Sequence, residues 1–182
     1  GWNAHDLRWL YAVKISAVML MLVIFRRHYT ELRDARLGAG AAIVALVTGA
    51  VVLVLWVSLN ADWMIIGSPD GFNPTTGGRI DWLMVAVRIF GAALVVPVME
   101  ELFWRSFLMR WIERPQFETV DPQHVGLKAI VLTTFLFMLA HTLWLAAIVA
   151  GLAYAWLYVR TGKLWVPIIA HADVRRLLLA QK

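Results

Sequence analysis

The chain has 182 residues, 61% of them apolar and only 16% charged, with ten tryptophans and a mean hydropathy of +0.70, a balance that excludes an ordinary water-soluble domain. Its net charge of +5 collects in short blocks between apolar runs, as in Arg26 to Arg36, which is the pattern of membrane-protein loops and not of a nucleic-acid-binding stripe. No cysteine is present, which excludes a disulfide framework, a thiol nucleophile and a cysteine-ligated metal.

A hydrocarbon core of about 30 Å calls for roughly twenty apolar residues in a helix. Leu7 to Phe25 is the first such run, with Lys14 inside it. It is too long and wrongly flanked for a cleavable signal peptide, and a chain that opens on glycine predicts a trimmed N-terminus. Ala39 to Leu59 is the second run and carries no charge. The connection "NADWMIIGSPDGFNPTTGGRID" is rich in Gly, Pro, Asn and Asp, and its Trp63 to Ile66 stretch suggests an interfacial segment. A third helix is expected from Trp82 to about Trp111.

After a polar loop from Glu113 to Lys128, the stretch Ala129 to Val159 contains no Asp, Glu, Lys or Arg. As one straight helix it would be about 46 Å long, too long for one comfortable crossing. The expectation is therefore two shorter helices with a break near His141 to Trp144, tolerated where protein lines a cavity. The last element runs from Leu164 to about Ala180, after the turn "RTGK". These runs predict an all-α, polytopic transmembrane bundle of about six apolar helices. Residues 1–182 form a single membrane domain, with two N-terminal helices in 1–60 and a core in 82–180 that carries the polar motifs. The basic groups at Arg26 to Arg36, Arg105 to Lys128 and Arg160 with Lys163 should face the cytoplasm.

An ionisable side chain at bilayer depth persists when it is paired, hydrated or functional. The core carries several: Glu100 with Glu101 and Arg105, His141, His171, and Asp173 with Arg175 and Arg176. Counting from the basic flanks, Glu100, His141 and His171 fall at similar depths of roughly 12 to 20 Å. Residues four apart share a helix face, so Glu101 and Arg105 can pair, while Glu100, rotated by about 100°, is expected to be unpaired and free to accept a proton. Phe137 lies one turn before His141 and should pack against it. Lys14 and Arg88 read as snorkelling side chains, and the small residues around Gly151 as a close helix contact.

The order EExxxR (Glu100, Glu101, Arg105), FxxxH (Phe137, His141) and a downstream His171 in "WVPIIAHA" resembles the CAAX protease and bacteriocin-processing family, also called the abortive-infection family, of glutamic-type intramembrane endopeptidases. The resemblance spans about residues 82 to 180 and looks most like the bacterial, exosortase-associated branch. It implies that Glu100 and His141 activate a water for attack on the scissile carbonyl, without a metal or other cofactor. His171 and an Asn or Asp four residues later would then stabilise the oxyanion, with Glu101, Arg105 and Phe137 in support. This sequence departs from the pattern there: Arg175 stands at the fourth position and Asp173 only two residues on. An arginine can donate to an oxyanion, but its bulk and fixed charge make it a poor replacement for an amide.

The same resemblance implies a membrane-anchored protein or peptide substrate, a sorting system of exosortase type as partner, and a place in the bacterial cytoplasmic membrane with the site toward the cytoplasmic half. Two other readings fit the residues. A zinc protease could use Glu and two His as ligands, although no HExxH occurs. A catalytically inactive relative could serve as a membrane scaffold or carrier, although no repeated halves support a carrier.

Overall fold

The computed structural model describes residues 9–67, 75–76 and 78–180. Six helices run in the order α1 (Trp9–Ile24), α2 (Ala39–Ser58), α3 (Trp82–Glu113), α4 (Leu127–Leu139), α5 (Trp144–Thr161) and α6 (Trp165–Ala180). The expected start of the first helix at Leu7 lies outside the described residues. Three helices, α2, α3 and α5, are long and apolar enough to cross a membrane. The break expected in the long uncharged stretch falls at 140–143, between α4 and α5. A small antiparallel pair, β1 (Thr75–Thr76) and β2 (Arg79–Ile80), sits in the connection before α3 and was not legible in the sequence.

Apolar side chains such as Ile43, Val47, Val51 and Val54 of α2 and Phe103 of α3 are exposed, whereas Glu101, Arg105, Ser106, Arg110 and His171 are buried. A bundle with its greasy side out and its charges in has lipid as its solvent.

The packing brings α2, α5 and α6 into one core. Ala45, Gly49 and Val52 form a seam on α2 against Val166, Ala170 and Val174 of α6. A Cβ on Gly49 would lie 2.8 Å from the carbonyl oxygen of Ala170, so only glycine permits this approach. At the opposite side of the core, α4 packs on α5 through Ala129, Phe137, Ala147 and Ala155.

α3 is not a regular α-helix throughout. It widens into π-helical turns over Gly91–Val95 and Leu102–Met109. The first widening precedes Pro97, whose ring excludes the ordinary bond to the preceding turn and favours such a bulge.

The loop between α1 and α2 is tied to the end of the bundle by one acid. The Glu31 carboxylate accepts hydrogen bonds from Arg110 Nη1 at 2.8 Å, from the Tyr158 hydroxyl at 2.6 Å and from the Ser106 hydroxyl. Trp165 Nε1 donates to the Leu32 carbonyl at 3.1 Å and Lys163 Nζ to that of Arg36 at 2.6 Å. The basic ends of α3, α5 and α6 are thereby joined to the first helical hairpin.

Candidate active site

The site is built outward from Glu101. Its carboxylate is fully buried on α3, 3.2 Å from Arg105 Nε and 3.3 Å from Arg105 Nη1. The expected one-turn pair is present, and the guanidinium also donates from Nη2 to the Gly151 carbonyl at 3.1 Å. Its carbon lies 4.9 Å from the centre of the Phe137 ring and 5.4 Å from that of Tyr154, so the cation is sandwiched as well as paired. Gly151 permits this because a Cβ there would press on Thr134 at 3.1 Å and on Phe137 at 3.3 Å.

His171 of α6 joins the same network. Its Nδ1 lies 2.9 Å from Glu101 Oε1, and Tyr154 stacks on its ring at 4.9 Å with 19° between planes. With the Glu101 carboxylate paired to Arg105 and accepting from the imidazole, Nδ1 carries the hydrogen and Nε2 the lone pair. Nε2 in turn faces Arg175 Nε at 3.5 Å and Glu100 Oε2 at 3.7 Å. The two adjacent acids thus flank opposite nitrogens of one imidazole instead of pointing to unrelated places. In this arrangement Nε2 is an acceptor; a donor role toward an oxyanion requires it to take up a proton and Arg175 to move aside.

Glu100 is not unpaired, which corrects the expectation from helix spacing. Arg175 Nη2 donates to Glu100 Oε1 at 3.3 Å. The partner is 75 residues away in sequence, one turn beyond His171 on α6, so no local pattern could reveal it. Asp173 takes no part in this network and pairs at 3.1 Å with exposed Arg176 on the same helix.

His141 occupies the break between α4 and α5. Its Nδ1 lies 2.7 Å from the Phe137 carbonyl, which can only accept, so Nδ1 donates and Nε2 is left as an acceptor. The Phe137 ring lies 4.2 Å from the imidazole and Trp56 of α2 meets it edge-on at 5.9 Å. The break itself is held from outside the core. Ile65 bridges to Leu143, Ile66 N donates to the Thr142 carbonyl at 2.8 Å, and Trp144 Nε1 donates to the Trp63 carbonyl at 3.1 Å.

Glu100, His141 and Arg175 line one pocket of about 420 Å³, whose apolar wall includes Phe103 and Trp104. That volume falls within the usual range for ligand sites. His171 stands behind this lining, in contact with Glu100 and Arg175, and Glu101 stands behind His171. A model of the family described as type II CAAX prenyl endopeptidase, Rce1-like, matches residues 82–174. The chain belongs to this family. No curated protein and no solved structure matches the chain.

The Rce1-like match covers α3, α4, α5 and α6 to just short of Arg175, and so includes Glu100, Glu101, Arg105, Phe137, His141 and His171. This is a protease family, and with three membrane-spanning helices the Rce1-like chain is an integral membrane protein. Sequence reasoning missed Tyr154, the Gly151 carbonyl and Trp56. Tyr154 left one usable trace: it lies one helical turn after Gly151, on the small-residue face of α5 that includes Ala147 and Ala150.

Proposed function

We propose that this Rce1-like protein is an intramembrane glutamic-type endopeptidase that cleaves a membrane-anchored protein or peptide. The observation that carries the proposal is the pairing of two acceptors in one pocket, the Glu100 carboxylate and His141 Nε2. A water between them can give one hydrogen to each, which aims its oxygen lone pair into the cavity. Its oxygen attacks the scissile carbonyl carbon while Glu100 takes the proton; the same proton then passes to the leaving amine as the C–N bond breaks. Glu101 and Arg105 hold His171, which in turn touches Glu100 and Arg175.

α4 rises about 20 Å from its basic end before the His141 break, and Glu100 lies about 20 Å from the Glu113 end of α3. The Trp63 to Ile66 segment backs the break from the side opposite the basic loops. Access from the cytoplasmic half, and a sorting tail or precursor peptide in a bacterial inner membrane, are part of the proposal and rest on the family resemblance, since about 20 Å from the basic ends lies past the middle of a core of about 30 Å.

The test is hydrolysis of lipid-anchored peptides by protein reconstituted in vesicles. Glu100→Gln and His141→Ala should each lower the rate by about 10²- to 10⁴-fold, the usual worth of a positioned base, while the helical content stays unchanged. A Glu100→Gln protein that cleaves at the parent rate removes Glu100 from the chemistry and with it this mechanism.

A further inference from the structure

Arg175 is the feature of the pocket that water activation does not use. Its guanidinium sits at the end of a cavity whose remaining wall is largely apolar, and its side chain is 33% exposed. Its two contacts are long: 3.3 Å to Glu100 and 3.5 Å to His171, against about 2.7–2.9 Å for a well-made charge-assisted bond. A guanidinium has five N–H donors in a planar fork that matches a carboxylate, so most of its capacity is unspent.

We propose that Arg175 makes this pocket a carboxylate-reading site, selecting substrates that carry an acid beside the scissile bond. The carboxylate comes either from an acidic side chain or from a chain terminus. It would draw the guanidinium away from Glu100, and the base would then be free for water only when an acid-bearing substrate is in place. The inference rests on the reading of this pocket as the substrate site. A neutral amide at position 175 would bind peptide carbonyls without regard to charge; a cation there favours an anion and, by standing on Glu100, penalises substrates that lack one.

The experiment measures binding and cleavage in parallel, with the full chain in nanodiscs of neutral phosphatidylcholine. Three N-palmitoylated hexapeptides share an apolar sequence: one ends in glutamine carboxamide, one in glutamate carboxamide and one in glutamine with a free terminal carboxylate. At least one of the acids should bind about tenfold more tightly than the neutral peptide, and the one that does identifies the source of the carboxylate. The contrast should collapse in Arg175→Gln, persist in part in Arg175→Lys, and persist fully in Arg176→Gln, a control for general attraction to a basic protein.

Equal affinities for all three peptides, or a contrast that survives Arg175→Gln, overturns the proposal. If Arg175→Gln does not fold, the Arg175→Lys contrast decides, since full retention of the parent preference also overturns it. Cleavage is scored separately. Binding contrast without hydrolysis of any peptide sinks the endopeptidase reading and leaves the carboxylate site standing; hydrolysis without contrast does the reverse.

Discussion

Replacing Arg105 by leucine gives a sharp test of how the site is held. The guanidinium and the Glu101 carboxylate are 1% and 0% exposed, so solvent screens neither charge. Arg105→Leu leaves a buried carboxylate without its counterion and removes the donor to the Gly151 carbonyl. Removing one partner of a buried pair costs about 3–5 kcal/mol, whereas replacing both by apolar groups is often close to neutral. At roughly 2–4 °C per kcal/mol for a chain of this size, Arg105→Leu should lower the melting temperature by roughly 6–20 °C. The double variant Glu101→Leu/Arg105→Leu should recover more than half of that loss. The assay is thermal unfolding in detergent, followed by the fluorescence of the ten tryptophans. A drop of less than about 2 °C for Arg105→Leu, or a double variant no more stable than the single one, would refute the account of this pair as an uncompensated-charge problem.

Arg175→Asn should raise hydrolysis of an uncharged peptide by about two- to tenfold, because it takes a cation off the proposed base; an unchanged or slower rate means that Arg175 does not restrain Glu100. Ile66→Pro deletes the backbone donor to the Thr142 carbonyl and should lower kcat with little change in KM, since it loosens the turn that carries His141. Equal activity in that variant would show the Trp63 to Ile66 segment to be incidental to the site. Chelation with phenanthroline should leave the rate within about twofold, because a cation at His171 Nε2 would meet the Arg175 guanidinium already there; loss of activity restored by zinc would favour the zinc reading instead.

The helices were legible because lipid imposes a strong rule: runs such as Ala39 to Ser58 and Trp144 to Thr161 have no other use at this composition. The break at His141 followed from length alone. The Glu101–Arg105 pair and the Phe137–His141 contact were also legible, because one-turn spacing is a local property. Contacts between helices were not. Arg175 on Glu100, Tyr154 on His171 and Ile66 on Thr142 each depend on how two distant segments pack, which periodicity does not encode. The π-helical turns of α3 were equally hidden, although Pro97 marks where one of them is favoured.

The cross-helix contacts also explain why the two acids can stand side by side. From Arg105 through Glu101, His171 and Glu100 to Arg175, the site alternates cation, anion, neutral ring, anion and cation. Each carboxylate has its own guanidinium, one deeply buried and one a third exposed, so the string is balanced while its central imidazole stays neutral. The inner pair is fixed: Arg105 is caged by Phe137, Tyr154 and the Gly151 carbonyl and has nowhere to go. The outer pair makes one contact instead of two, is more exposed and lines the cavity, so it is the one that the proposed substrate can disturb. Fixed structure and the proposed reactivity are therefore divided between the two ends. Glu101 and Arg105 keep the imidazole in place at all times, while Glu100 is held by a counterion that an incoming anion can take over, which leaves Glu100 as the carboxylate without a counterion and favours its taking a proton from water.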